Sequence, residues 1–220
     1  MMERIKTAAS LRSWLNSCVL GDLRTLVRGI DAYYASDEHL DSEGRPIGGG
    51  NFLLVAGCCS AIDYFAYIVN DGSNDDARAI AFINRFLVPI NPRYEEVGLL
   101  LWRCFRHGTV HRSWPKRIEI EGEADAITTG AGAEESDPHL GPAPTEPVDS
   151  FLVNGRRLLA DLSRALEGPF GEWIDANGTD DVLRRANPDR LRVGLGDAAL
   201  RAQIAKVREW NRASRNRPAS

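Results

Sequence analysis

One segment of the chain, residues 51–70, is almost entirely apolar, and it constrains the fold more than any other feature. It reads NFLLVAGCCSAIDYFAYIVN, and its one charged residue is Asp63. A membrane span of this length would hold a carboxylate near its middle, and the sequence offers no second span. We therefore expect a helix that other helices bury on most sides. Because an unpaired buried carboxylate is costly, we also expect Asp63 to have a cationic partner.

Amphipathic patterns on either side of this segment predict the helices that would cover it. Apolar residues recur at helical spacing over residues 7–35, 74–88 and 91–114. The second pattern opens on Asn-Asp-Asp, whose acids suit the positive end of a helix, and the third opens on Asn-Pro. Together with the apolar segment, these patterns predict a bundle of four helices that extends to about residue 117.

Residues 118–147 have a different character from the rest of the chain. Residues 121–147 contain seven acids, four prolines, four glycines and no Lys or Arg, which is typical of a loop-rich excursion. Residues 118–121 alternate like a short edge strand, which could pair with residues 126–129 or 139–140. We therefore expect a small β element here rather than another helix.

Helical patterns return after the excursion and predict a C-terminal extension, residues 148–220, that packs on the bundle. One stripe predicts a fifth helix ended by Gly168-Pro169, and it consists of Val148, Phe151, Leu152, Leu159, Leu162 and Leu166. Shorter helices are expected at residues 172–177, 179–186 and 197–210. The tail, residues 214–220, is expected to fray. The predicted fold is mostly α, with domain boundaries at 1–117, 118–147 and 148–220.

The overall composition limits the functions that are open to the chain. Its 27 Lys and Arg against 31 Asp and Glu give a formal net charge of -4, which argues against a protein that coats DNA. The four cysteines form no CxxC motif, and we interpret them as reduced packing residues. The N-terminus lacks the apolar stretch of a signal peptide. We therefore expect a cytoplasmic protein without membrane attachment.

A basic segment, residues 103–117, stands out in this acidic chain. It reads RCFRHGTVHRSWPKR and holds five Lys or Arg, two of the four histidines and no acid, so it would attract an anionic ligand. Arg106 and His111 would lie about 140° apart on an ideal helix, and the long arginine side chain or a distortion at Gly108 would have to bring them to one phosphate. A guanidinium can hold a phosphodiester, and a histidine can move protons near neutral pH.

Two other interpretations of this segment remain open. Its histidines have the spacing of metal ligands on a helix, but no HExxH pattern or third ligand accompanies them, so we expect neither a metal nor a cofactor. Arg106 could instead be structural and pair with Asp63 inside the bundle. The candidate cations for Asp63 are Arg106, Arg103 and Arg85. Pairing with Asp63 would not by itself prevent Arg106 from acting on a ligand.

The four predicted helices with a terminal Arg-x4-His motif resemble the HEPN superfamily (higher eukaryotes and prokaryotes nucleotide-binding domains). The family motif is an Arg, a polar residue and a His a few residues on. Residues 106–111, RHGTVH, match it, with His107 as the polar residue. The preceding run at residues 94–101 and the Trp-Pro-Lys that follows also resemble HEPN-like proteins. The resemblance covers about residues 7–117 and does not extend to the C-terminal hundred residues.

The resemblance implies an up-and-down helical bundle and a metal-independent endoribonuclease that works as a homodimer with two motifs facing each other. Arg106 would bind the scissile phosphate, and His111 would act on the ribose 2′-hydroxyl or the leaving oxygen, with a 2′,3′-cyclic phosphate as product. His107 would orient one of these groups. The accessory residues would be Asp63 and Arg103, and the RNA contacts would come from Arg112, Lys116 and Arg117.

The same resemblance implies an alternative function and further partners. Other HEPN members are inactive modules that bind a nucleotide or a protein or that dimerise, so the fold alone does not decide between enzyme and binding module. A role in a toxin or defence system would add an antitoxin or another protein as a partner, beside RNA.

Overall fold

A computed structural model of the chain describes residues 5–36, 40, 42–43, 50–70, 75–106, 128–132, 137–142 and 150–187. Of these residues 75% are helical, and one small sheet of two strands accompanies the helices. The prediction of a mostly α fold with a small β element is therefore confirmed. The strand expected at residues 118–121 and the helix expected at residues 197–210 lie outside the described residues.

The first predicted helix is confirmed as one continuous helical segment in three parts. They are α1 (Ala8–Trp14), a π-helical turn (Leu15–Val19) and α2 (Leu20–Tyr34). Thr7 caps the segment: its Oγ1 accepts from the Ser10 N–H at 3.1 Å, and Ser10 Oγ accepts from the Thr7 N–H at 2.9 Å. This reciprocal pair satisfies N–H groups that the start of a helix leaves open, so the cap fixes where α1 begins.

The apolar segment forms α3 (Asn51–Val69), the central helix of the protein. It packs against α2 and against the helix that follows α3 in the chain, and among the residues of α3 only Leu53 and Ser60 are exposed. By length and composition alone, α3 could also cross a membrane, but central helices of folded domains often meet the same criteria. In this protein, 50% of the most apolar stretch of α3 is buried by the rest of the chain. The expectation of a helix covered by its neighbours is confirmed.

Two shorter helices each continue into a π-helical turn. The first pair is α4 (Asp75–Phe82) with the turn Ile83–Leu87, and the second is α5 (Arg93–Leu101) with the turn Trp102–Arg106. Aromatic rings fill the space between α3, the first turn and the C-terminal helices. Their centroids lie 5.0–6.0 Å apart, which is the usual range for packed rings, and they belong to Phe65, Phe82, Phe86 and Phe170.

The sheet corrects the predicted start of the fifth helix. Strands β1 (Thr128–Gly132) and β2 (Ser150–Asn154) pair in parallel, so Phe151 and Leu152 lie in a strand and not on a helical stripe. Along β2 the buried residues Phe151 and Val153 alternate with the less buried Ser150 and Leu152, which is the period of a strand. Helix α6 (Gly155–Glu167) begins only after Asn154, whose side chain accepts from two N–H groups of its first turn.

The last described helices follow the predicted pattern. They are α7 (Pro169–Asn177), which begins three residues earlier than expected because a proline occupies its first turn, and α8 (Asp180–Ala186). The hydroxyl of Tyr64 in α3 donates to the carbonyl of Ala186 at 2.5 Å. Arg12 of α1 pairs with Asp175 of α7, also at 2.5 Å. These contacts show that α7 and α8 pack on the helices of the N-terminal bundle.

Candidate functional site

Arg106 ends the π-helical turn that follows α5, and it is the last residue described before the gap at residue 107. Its Nε and Nη2 donate to Asp63 Oδ2 at 3.3 and 3.0 Å. The two side chains are 21% and 23% exposed, so the pair is largely shielded from water. The expected cationic partner of Asp63 is thus Arg106, one of the three candidates. A π-helical turn adds a residue to the helical turn, and such distortions are frequent at functional sites.

Asp63 has a second cation, Arg78, which the sequence did not single out. Arg78 Nη2 lies 3.5 Å from Asp63 Oδ1 and 2.5 Å from Asp75 Oδ1, and its guanidinium lies over the Tyr67 ring. The sequence contained a signal for the pair of Arg78 with Asp75, because side chains three residues apart in a helix share a face. It contained no comparable signal for the contact of Arg78 with Asp63. Arg85, another candidate for Asp63, lies instead over the rings of the aromatic core.

Arg103, the third candidate for Asp63, pairs with a different carboxylate. Its Nε lies 3.7 Å from Asp76 Oδ2, and its side chain is 64% exposed. The indole Nε1 of Trp102 donates to the other oxygen of Asp76 at 2.8 Å, so Asp76 is held in place. Arg103 therefore belongs to the surface of the bundle, beside the Arg106–Asp63 pair rather than in it.

Acids from other helices thus compensate the positive charge of the described part of the basic segment. Arg103 and Arg106 each face an aspartate of α3 or α4: the pair of Arg106 with Asp63 was among the expected ones, whereas the pair of Arg103 with Asp76 was not. The remaining residues of the predicted site lie outside the described part of the chain: His107, His111, Arg112, Lys116 and Arg117. Any excess positive charge of the segment must come from those residues.

One atom of the Arg106 guanidinium stands apart from this compensation. Nη1 is buried and has no hydrogen-bond partner among the described residues, whereas Nε and Nη2 are both held by Asp63. The guanidinium also lies over the Trp102 ring, with 5.8 Å between its carbon and the ring centroid. A guanidinium oriented in this way keeps a donor for an oxygen atom of a ligand.

The cysteines of the central helix do not take part in this chemistry. Cys58 and Cys59 are both fully buried in α3. Burial raises the pKa of the Cys59 thiol to about 12, although the nearby Arg106 acts in the opposite direction. A thiol that stays protonated near neutral pH is a poor nucleophile, so both residues act as packing groups.

A second polar cluster, which the sequence did not suggest, lies between α5, α6 and residues 137–142. The Tyr94 hydroxyl donates to Asp161 Oδ2 at 2.8 Å, and His139 Nε2 lies 3.2 and 3.3 Å from these two oxygens. Arg164 donates to the other carboxylate oxygen, Oδ1. Tyr94, His139 and Asp161 are all buried, so the cluster joins three separate parts of the chain inside the protein.

The electrostatics of this cluster favour a charged Asp161. Burial alone would raise the pKa of the carboxyl, but hydrogen bonds from His139, Arg164 and Tyr94 outweigh it and leave the pKa lowered. Burial and the adjacent carboxylate raise the pKa of Tyr94 well above its ordinary value, so its hydroxyl keeps its proton. Since Tyr94 donates to Asp161, His139 faces two acceptor oxygens through Nε2, which assigns the ring proton to that nitrogen.

Replacing Tyr94 by phenylalanine tests the energetic role of the cluster. We expect the free energy of unfolding to fall by about 2 kcal/mol, because a buried carboxylate loses one of its donors. Urea denaturation measures the change. Tyr67→Phe is the matched control, since the Tyr67 hydroxyl makes no hydrogen bond among the described residues, and it should change stability by less than about 0.5 kcal/mol. Equal effects of the two substitutions would contradict the described geometry.

The two clusters define what is available for chemistry in the described part of the chain. There, no group of three or more His, Cys, Asp or Glu side chains is placed to hold a metal ion. The Arg106 cluster offers an oriented guanidinium at the end of a helix, and the Tyr94 cluster offers a buried His–Asp pair beside a cavity. Comparison of the chain with protein-family models, with curated proteins and with solved structures finds no match.

Proposed function

We propose that the protein is a metal-independent endoribonuclease in which Arg106 binds the scissile phosphate and His111 moves the proton. The observation that carries this proposal is the geometry of Arg106. Its guanidinium is oriented by Asp63, it lies where the helix enters the Arg-x4-His motif, and its Nη1 has no partner among the described residues. An oriented cation of this kind can stabilise the charge that builds up on a phosphodiester during cleavage.

The charge around Arg106 supports a role in binding an anion. Asp63 is shared between Arg78 and Arg106, so two guanidinium groups face a single part-buried carboxylate. Among the described residues, Arg78 also lies beside Asp75, whose side chain is 62% exposed and therefore screened by water. Asp63 thus holds the Arg106 guanidinium in place while it is shared with a second cation, which supports a role for Arg106 in binding a phosphate.

The proposed reaction uses RNA because RNA carries its own nucleophile. The 2′-oxygen forms a bond to phosphorus while the bond from phosphorus to the 5′-oxygen breaks, which gives a 2′,3′-cyclic phosphate and a 5′-hydroxyl. His111 takes the 2′-proton or gives a proton to the leaving 5′-oxygen, solvent water accepts or supplies the other proton, and Arg106 stabilises the charged phosphate. His107 orients one of these groups. In the proposed assembly, a homodimer, two such motifs face each other.

One observation favours a second function, a module that binds a nucleotide or a protein without cleaving RNA. Arg106 is only 21% exposed, and two of its three nitrogens are engaged by Asp63. A guanidinium in this position also serves to attach the π-helical turn to α3. If that structural role were the whole role of Arg106, the basic segment would bind anions without performing chemistry on them.

Cleavage of single-stranded RNA in excess EDTA separates the two functions. We expect the purified protein to cut RNA, to leave DNA of the same sequence intact, and to lose activity steeply as salt rises, because the charges of the basic segment hold the RNA phosphates and salt weakens each of these contacts. Product bands on a denaturing gel measure the activity. If no RNA is cleaved while RNA still binds in a filter assay, the binding module becomes the better account.

A further inference from the structure

A cavity of about 520 Å³ opens between the start of α5, the segment 137–142 and one side of α6. Its volume lies in the range of small-molecule sites. Asn91 and Arg93 line it near the first turn of α5, whereas Arg106 follows the last turn of the same helix. Arg106 lies thirteen residues after Arg93, which corresponds to about 20 Å at the usual helical rise. The cavity is therefore separate from the proposed cleavage site.

The charged residues that line the cavity are mostly positive. Among the described residues they are three arginines, Arg93, Arg157 and Arg164, and one acid, Asp161. Asp161 is 1% exposed, and both of its oxygens already accept from the Tyr94 cluster or from Arg164. A ligand that enters the cavity thus meets guanidinium groups and not a free carboxylate. Such a lining favours an anion with more than one negative charge.

Arg93 has the donors that such an anion requires. Its Nη1 donates to the carbonyl of Leu140 at 3.5 Å, which is the outer limit of a hydrogen bond. Among the described residues most of the other N–H groups of Arg93 have no partner, and five donors in one plane suit the oxygens of a phosphate. The side chain of Arg93 is also exposed, so it lies at the mouth of the cavity, where a ligand can reach it.

The wall opposite Arg93 is held in an uncommon backbone conformation. Leu140 has φ 55°, a left-handed conformation that costs energy for a residue with a branched side chain. Its neighbour Gly141 exchanges two backbone hydrogen bonds with Leu152 of β2. A Cβ on Gly141 would approach Arg93 Nη1 to 2.9 Å, so the lack of a side chain at Gly141 leaves room for the guanidinium in its present position. These contacts fix the wall around Arg93.

The floor of the cavity contains a histidine with an unused nitrogen. His139 is 7% exposed, its Nε2 faces Tyr94 and Asp161, and its Nδ1 has no hydrogen-bond partner among the described residues. A buried polar atom without a partner is uncommon in a structural cluster and is more typical of a place where a ligand or water completes the network. His139 lines the same cavity, and with the ring proton on Nε2 its Nδ1 is an acceptor, so it suits a hydroxyl of the organic part of a ligand rather than the phosphate itself.

We propose that this cavity binds a small organic phosphate, with Arg93 and Arg157 on the phosphate group and Arg164 beside it. Phosphate is favoured because a phosphomonoester dianion matches several guanidinium donors at once. The cavity is larger than a phosphate ion requires, and Pro138, Pro142 and Ala160 give its wall apolar surface for an organic part. The site would let a small molecule bind the protein at a distance from the RNA-cleaving motif.

Calorimetric titration of the full-length protein tests the proposal with four probes: inorganic phosphate, glycerol 3-phosphate, glycerol and succinate. We expect saturable binding of glycerol 3-phosphate, weaker binding of inorganic phosphate and none of glycerol. Arg93→Gln should raise the Kd for glycerol 3-phosphate tenfold or more, and the double substitution Arg93→Gln with Arg157→Gln should abolish binding. Arg28→Gln, which removes the same charge from an exposed residue outside the cavity, should leave the Kd unchanged.

Three results would overturn the proposal. The first is that neither inorganic phosphate nor glycerol 3-phosphate binds at concentrations up to about 10 millimolar. The second is equal binding by the wild type, the double variant and Arg28→Gln, which would place the phosphate elsewhere. The third is tighter binding of succinate than of glycerol 3-phosphate, which would assign the cavity to a dicarboxylate. Circular dichroism and thermal unfolding of each variant show whether the fold is intact.

Discussion

Replacing His111 by alanine is expected to lower the rate of RNA cleavage by about 10²–10⁴-fold, the usual contribution of a positioned acid or base. RNA binding should largely survive, because the phosphate contacts of Arg106 and of the basic residues at 112–117 remain. Single-turnover cleavage measures the rate, and a filter assay at the same ionic strength measures binding. A variant that loses binding and cleavage in proportion would show that His111 holds RNA but moves no proton.

Arg106→Ala should behave differently, because in the proposed mechanism Arg106 both binds the phosphate and stabilises its charge. We expect lower activity and weaker binding together. Arg103→Ala is the matched control: it removes the same charge three residues earlier, but its side chain is 64% exposed and pairs with Asp76. That variant should change activity far less. Cleavage that survives both His111→Ala and Arg106→Ala would come from a contaminating nuclease.

Asp63→Ala is expected to reduce the free energy of unfolding by about 3 kcal/mol, because it leaves the guanidinium groups of Arg78 and Arg106 without their shared, part-buried acid. Equilibrium denaturation in urea measures the loss. The same substitution should lower the cleavage rate of the folded protein, since Arg106 loses the group that orients it. The two readouts together distinguish a structural role of Asp63 from a role in positioning Arg106.

A surface ion pair provides the control for this substitution. Asp175 pairs with Arg12 at 2.5 Å, but the two side chains are 50% and 36% exposed. Asp175→Ala should therefore cost less than about 1 kcal/mol. If Asp63→Ala cost as little, Asp63 would be accessible to water and the packing around α3 would be looser than described.

The helices and a cationic partner for Asp63 could be predicted because the signals are local and strong. A run of 20 residues with one charge has few solutions besides a central helix, and that charge then requires a cation. The amphipathic patterns before and after it gave the neighbouring helices. The choice of Arg106 over Arg85 and Arg103 depends on how the helices turn relative to each other, and sequence spacing does not determine that.

The strand β2 and the Tyr94 cluster could not be predicted in the same way. The strand is short and directly precedes a strong helical stripe, so its apolar residues continue the helical pattern in the sequence. The cluster joins Tyr94, His139 and Asp161 across separations of 22 to 67 residues, and no local pattern reports such pairing. One signal was present: Asp161 lies three residues after Leu158 and four before Ala165, on the buried face of α6.

The chemical ends of the RNA fragments test the central claim most directly. If Arg106 and His111 act on a phosphodiester through the internal 2′-hydroxyl, mass spectrometry of fragments made in excess EDTA should find 2′,3′-cyclic phosphate and 5′-hydroxyl ends. RNA with 2′-O-methyl groups throughout should stay intact, because its nucleophile is blocked. Fragments with 3′-hydroxyl and 5′-phosphate ends, or cleavage of the methylated RNA, would contradict the proposed mechanism.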